Sequence, residues 1–257
     1  MSKNTSGTGA IRFFIVGAQR CGTTYLAEVL DEHPEVCLAR PRFPEPKFFL
    51  SASEFSKGPE HYRRTFHGHC GTARACGEKS TSYFESAPAA RRIKSWFPGA
   101  RIIVSLRNPV WRAVSNYLFS RDNGLEPRTL REVFIEKVPA PRPPAGISVN
   151  PFQYLERGRY LHSVRCYRSC FGAASVKILV MESTVGNLAA VQGVYDFLGV
   201  EDRFVPASLQ ARVGGDHDTP AVAAAEIVEF LAGYYRQEIV ELADELQQDL
   251  SLWNVTA

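Results

Sequence analysis

The chain has 257 residues, of which 45% are hydrophobic and 22% charged, with a net charge of +3. This length and composition suit one sizeable α/β domain with a large core, and the small charge gives no ground for a nucleic-acid binder, though it suits an anionic ligand. No apolar run reaches membrane-span length, and residues 1–10 are polar with no secretory apolar stretch, so a cytoplasmic protein is expected, with a flexible tail over 1–10 and a single domain over 11–257.

The first element is an apolar run, Phe13, Phe14, Ile15 and Val16, expected to be a strand buried on both faces. Gly17 breaks it, Gly22 follows, and Thr23 and Thr24 open a stretch with helical character. Strand, glycine-flanked loop and helix in that order build a nest of backbone N–H groups at a helix N-terminus, which binds phosphate. The Gly17–Gly22 spacing is that of a Walker A loop, but Thr23 stands where a nucleotide triphosphatase has lysine, and the cation has moved into the loop as Arg20.

Proline stops this helix near residue 34, and residues 36–38 are a short second strand. Residues 40–50, RPRFPEPKFFL, hold three prolines that forbid a regular helix, with Phe48 and Phe49 as anchors on the core. Glu45 in this run reads, on pattern alone, as a solvated loop carboxylate. A helix over residues 55–69 and a short strand over 75–78 lead into Lys79, Ser80, Thr81, Ser82 and Tyr83. A charged, hydroxyl-rich loop at a strand end is where α/β folds place ligands.

A helix is expected over residues 87–97 and a strand over 101–106, which runs into Arg107, Asn108 and Pro109. Pro109 suits the first position of the next helix, and Arg107 and Ser115 are candidates to grip a second anion. Residues 138–150 read as a long loop, 151–171 as largely helical, 176–181 as a buried strand, and 182–198 as a helix ended by Gly199. A second long loop over 203–219 precedes a last helix over 220–247, with a break expected near Gly233. The six cysteines, at 21, 37, 70, 76, 166 and 170, show no Cys-x-x-Cys pair and no zinc-site spacing, so free thiols are expected.

Taken together, FFIVGAQRCGTTYL and IIVSLRNPVWRAVSNY resemble the sulfotransferases that use 3′-phosphoadenosine 5′-phosphosulfate (PAPS). Three more matches follow the family's order: Glu45-Pro-Lys47-Phe48-Phe49, Gly77 through Tyr83, and Gly158-Arg-Tyr160 leading to the strand VKILVMES. The set is most similar to the heparan-sulfate-type branch and its bacterial relatives. The resemblance implies a P-loop-like parallel β-sheet flanked by helices on both faces, and transfer of a sulfuryl group to a carbohydrate or small-molecule hydroxyl, less readily an amine.

It further implies that Gln19, Arg20, Cys21, Gly22, Thr23 and Thr24 hold the 5′-phosphosulfate, that Arg107 and Ser115 hold the 3′-phosphate, and that Glu45 is the general base. Lys79 and Arg20 would stabilise charge on the leaving phosphate, and Lys47, Ser80 and Tyr83 fall on the acceptor side. PAPS is the implied co-substrate and 3′-phosphoadenosine 5′-phosphate (PAP) the product, with no metal required. Two departures stand out. Arg20 replaces a lysine of many relatives, and arginine stabilises an anion but is a poor proton donor. Residues 212–220 are shorter and less basic than the family's closing loop, leaving Arg212 as the replacement cation. Two rivals remain: a small-molecule kinase, against which the missing Walker lysine counts, and a non-catalytic nucleotide- or glycan-binding module.

Overall fold

The computed structural model describes residues 11–146, 149–211 and 219–255. The expected tail over 1–10 and the candidate Arg212 lie outside these described residues. Five strands are present: Ile11–Gly17 (β1), Val36–Leu38 (β2), Ala75–Lys79 (β3), Arg101–Leu106 (β4) and Val176–Val180 (β5). They pair in parallel in the order β2-β3-β1-β4-β5.

The burial of β1 explains this central position, since every residue but Arg12 is buried. Alternation along a strand sends neighbours to opposite faces. Phe13 and Ile15 pack with Leu26, Leu30, Val191 and Val194, from the helices Thr23–Asp31 and Leu188–Leu198. Phe14 faces the other way, edge-on to Phe49 at 5.8 Å and against Phe97 at 5.6 Å between ring centroids. Helices and aromatic side chains thus cover both faces, which is why the strands read as continuous apolar runs. The chain builds β2 and β3 on one side of β1 and then β4 and β5 on the other. Open α/β sheets bind their ligands at such a reversal, outside the carboxyl ends of the strands, which here belong to β1 and its neighbours.

The chain divides into two compact units, Met1–Leu106 with Ser163–Val213, and Arg107–His162 with Gly214–Ala257. The first carries the whole sheet. The second is helical, with Pro109–Asp122 and Ala225–Leu246 contributing Val110, Val114, Tyr117, Leu231 and Tyr235 to its core. Asn108 caps the Pro109–Asp122 helix, its side chain accepting from the Val110 amide at 3.0 Å, with proline in the first turn as expected. No helix among the described residues is long and apolar enough to cross a membrane.

Four local expectations change. Over residues 151–171 the helix is confined to Leu161–Phe171, after a 3-10 turn at Glu156–Gly158. The carbonyls upstream are taken by side chains instead: Tyr235 donates to Leu155 O at 2.8 Å, and Arg112 donates to Tyr154 O. The helix expected over 182–198 splits into Met181–Thr184 and Leu188–Leu198, because Gly186 turns left-handed (φ 71°) before the Asn187 cap. The helix expected over 220–247 is interrupted at residues 223–224, between Thr219–Val222 and Ala225–Leu246, and not at Gly233, a mid-helix glycine that costs only about 1 kcal/mol. Finally, Cys37 and Cys70 are not free thiols but form a disulfide, Cα–Cα 5.5 Å; Cys21, Cys76, Cys166 and Cys170 are free. Parallel pairing of β2 with β3 brings the turn before β3 up to Cys37, a proximity that cysteine spacing does not encode.

Candidate active site

The loop that follows β1 is shaped by its backbone. Gly17 has φ 153°, and a Cβ there would lie 2.6 Å from Phe84 Cβ and 2.9 Å from Thr81 O, so only glycine fits where the chain leaves β1. Arg20 (φ 65°) and Gly22 (φ 72°) are both left-handed around Cys21, a backbone that aims successive N–H groups to one side. Ser105 secures the loop from β4: its carbonyl accepts from Ala18 N at 2.8 Å, and its hydroxyl donates to Cys21 O at 2.6 Å. Gln19 Nε2 donates to Ser82 Oγ at 3.2 Å. Thr23 is buried and Thr24 exposed at the start of the Thr23–Asp31 helix, and no side chain caps that helix at Gly22. Cys21 is buried, with its Sγ 3.5 Å from Gln19 O, so it contributes backbone and a compact side chain to the loop.

A second cluster forms where β3 ends. Glu45 is not solvated: its side chain is 12% exposed and its Oε1 lies 3.0 Å from Lys79 Nζ. Thr81 adds a second grip, its amide donating to Glu45 Oε2 at 2.9 Å and its hydroxyl lying 3.0 and 3.2 Å from the two carboxylate oxygens. Lys79 is buried and its Nζ stands 4.8 Å from the centroid of the exposed Phe43 ring. Arg42, three residues before Glu45, reaches Asp31 at 3.5 Å. Lys47 is left-handed (φ 49°), and its amide donates to Ser80 Oγ at 3.0 Å. Left-handed backbone at non-glycine residues costs about 1–3 kcal/mol each, and such strain gathers at functional sites; here both Arg20 and Lys47 carry it.

Beneath this cluster lies Glu78, fully buried on β3. Ser80 donates to its Oε1 at 2.6 Å, and Tyr62 donates to its Oε2. Burial pushes the Glu78 carboxyl up, and the hydroxyls of Ser80, Tyr62 and Tyr83 pull it only part of the way back. Burial beside Glu78 drives the Tyr62 and Tyr83 hydroxyls well above their usual range. Ser80 and Tyr83 are themselves buried, and Tyr83 OH accepts from Phe49 N at 3.1 Å. Thr81 and Glu78 lie within the motif read from Gly77 to Tyr83, but the motif by itself assigns neither a role in holding Glu45. For Glu78 the signal was present, as a carboxylate that follows the small residues Ala75, Cys76 and Gly77 in a fully buried strand.

The two remaining candidates, Arg107 and Ser115, belong to the second unit. Arg107 opens it directly after β4, its carbonyl accepting from Tyr160 OH at 2.8 Å, while Asn108 Nδ2 donates to Trp253 O at 3.1 Å. Ser115 is buried on the Pro109–Asp122 helix. Arg112 is fully buried, with Nη1 donating to Asn116 Oδ1 at 3.2 Å, and so belongs to the core.

A parallel sheet with a glycine-bounded loop after its central strand, and an acid–lysine pair at the end of the adjacent strand, is an arrangement that suits a group-transfer enzyme. The sequence matches the family described as sulfotransferase domain over residues 10–210, and the chain belongs to that family. It is 40% identical over 119 residues to human heparan sulfate glucosamine 3-O-sulfotransferase 6, covering 44% of this chain and 32% of that protein. It is 30% identical over 195 residues to human bifunctional heparan sulfate N-deacetylase/N-sulfotransferase 2, covering 74% of this chain and 22% of that protein. The chain thus spans a third or less of the length of these curated relatives. Among solved structures, a sulfotransferase from Alicyclobacillus acidocaldarius superposes with TM-score 0.76 at 27% identity, covering 95% of this chain and 99% of that one. A mouse sulfotransferase complexed with PAP shares the fold, with TM-score 0.55 at 16% identity over 93% of this chain and 90% of that one.

Proposed function

We propose that the chain moves a sulfuryl group from PAPS to an acceptor hydroxyl by in-line displacement, with Glu45 as general base. The observation that carries this reading is the Glu45 carboxylate, fixed by Lys79 Nζ and by Thr81 at the end of β3, the strand that pairs with β1 beside the anion loop. A carboxylate has about four lone-pair sites, so these contacts orient it and leave room to accept a proton. Once Glu45 takes the acceptor's proton, the Lys79 ammonium loses its counter-charge. It then stabilises the negative charge that grows on the leaving phosphate.

The left-handed backbone at Arg20 and Gly22, with the helix that opens at Thr23, fits a phosphate group. PAPS supplies the activated sulfuryl group. Gln19, Cys21, Gly22, Thr23 and Thr24 would line its 5′ end, and Arg20, charged at any working pH, would stabilise the leaving phosphate without protonating it. Arg107 and Ser115 would take the 3′-phosphate, and Lys47 would orient the acceptor. The relatives are named as O- and N-sulfotransferases of heparan sulfate, which supports a carbohydrate or similar small-molecule acceptor.

The test is Glu45→Gln, which keeps the shape and removes the basicity. With labelled PAPS and a panel of heparan oligosaccharides, amino sugars and small alcohols, kcat should fall about a hundred- to ten-thousandfold while PAP affinity holds. A kcat near wild type removes Glu45 from the chemistry.

A further inference from the structure

We propose that Glu78 is a positioning residue for Glu45, setting the polarity of two buried hydroxyls that hold the Glu45 segment in place; the proposal rests on the reading of Glu45 as base. A hydroxyl has one proton to donate and two lone pairs to accept with. Ser80 commits its proton to Glu78 Oε1 at 2.6 Å, so its lone pairs face the Lys47 amide, which donates to it at 3.0 Å. The Tyr83 hydroxyl also lies in the electrostatic reach of Glu78, and its oxygen accepts the Phe49 amide at 3.1 Å. Both amides follow closely on Glu45, and the first belongs to a residue in left-handed backbone that needs an anchor.

The run from Glu78 to Thr81 therefore divides its labour by alternation. Lys79 and Thr81 grip the Glu45 carboxylate itself. Glu78, acting through Ser80, grips the backbone that delivers it. The choice of a carboxylate is informative, because burying one is costly and packing alone would be served by glutamine. Glutamine, however, presents an NH₂ on one side. Two hydroxyls, from Tyr62 and Ser80, donate to Glu78, and that of Tyr83 lies beside it. An NH₂ there would force one of them to accept, and its displaced proton would then compete with an incoming amide.

The experiment compares Glu78→Gln, Ser80→Ala, the double variant and Glu45→Gln by amide hydrogen exchange, PAP calorimetry and steady-state kinetics with the same acceptor panel. Glu78→Gln should speed exchange at the Lys47 and Phe49 amides about tenfold, the loss of one hydrogen bond. The amides of Ser80 and Phe84, bonded to Ile15 O and Val16 O, should not change. Misplacing the base should lower kcat roughly ten- to a hundredfold with PAP affinity unaltered. Ser80→Ala should loosen Lys47 and spare Phe49, which tests the route even if Glu78→Gln fails to fold. The double variant should exchange at Lys47 no faster than Ser80→Ala alone.

Unchanged exchange at Lys47 and Phe49 in Glu78→Gln would overturn the proposal, and so would equal acceleration at Ser80 and Phe84, since that marks a general loss of structure. Glu45→Gln separates the two ideas. If it retains wild-type kcat, the base reading fails while the amide data still decide whether Glu78 holds the segment. If it collapses kcat and Glu78→Gln does not, only the positioning role fails.

Discussion

His67 is buried beneath Tyr62, with its Nε2 3.2 Å from the Tyr62 hydroxyl. Burial, helped by the nearby charges of His69 and Arg63, holds its pKa down to about 4 from the ordinary 6.5. The folded chain therefore keeps His67 neutral across a range where the unfolded chain protonates it. Between pH 6.5 and 4 the unfolded state binds more protons, so the stability contributed by the neutral imidazole is fully present above pH 6.5 and is lost as pH falls towards 4. The loss should approach about 3 kcal/mol from this residue. Urea unfolding at neutral and mildly acidic pH checks it. His67→Gln should flatten the dependence, and parallel curves for wild type and variant would refute the assignment.

At the scale of elements, β2 is the weak member of the sheet. It is a three-residue edge strand, and it leads directly into the loop that carries Glu45. The Cys37–Cys70 disulfide ties it to the turn before β3 and closes a loop with a sequence separation of 33. Constraining a loop of that length removes unfolded-state entropy worth about 3–4 kcal/mol. A Cys37→Ser/Cys70→Ser variant, or wild type under a dithiol reductant, should therefore lose that much in denaturant unfolding. Cys166→Ser, at a free and only partly buried thiol, should lose far less. Identical midpoints for the reduced and oxidised protein would mean that the tether adds nothing. Gly17 makes the same point about local geometry: the exit from β1 lies so close to Phe84 and Thr81 that no side chain fits.

For the whole molecule the decisive property is which nucleotide the fold prefers. The first unit carries Arg20 and the anion loop, and Arg107 and Ser115 belong to the second. Saturation with PAP at about a hundred times its Kd should stabilise the protein by roughly 2.7 kcal/mol. EDTA should leave that shift intact, whereas stabilisation by ATP only in the presence of magnesium would favour a kinase. Arg107→Ala sharpens the measurement. If Arg107 meets the 3′-phosphate, its loss should cost PAP about 1.5–3 kcal/mol, as expected for a charged hydrogen bond. Adenosine 5′-phosphosulfate, which lacks that phosphate, should bind as before. Equal losses for the two ligands would make Arg107 a structural residue.

The amino-acid sequence by itself determined the five strands and the glycine-flanked loop after β1, and its ordered motifs carried the resemblance to the family. The strands and the loop rest on local physics: apolar runs that must be buried, and glycines that alone tolerate left-handed or crowded backbone. Only the tertiary structure decided what Glu45 does with its charge, because Thr81 stands 36 residues further along the chain and reaches Glu45 through the parallel alignment of the sheet. The same alignment joined Cys37 to Cys70 and buried Glu78 among three hydroxyls. It was likewise packing, through Tyr235 and Arg112, that kept the chain before Leu161 out of a helix. Periodicity says which face of a strand is apolar, but not which strand lies beside it, and every contact in the Glu45 cluster depends on that neighbour.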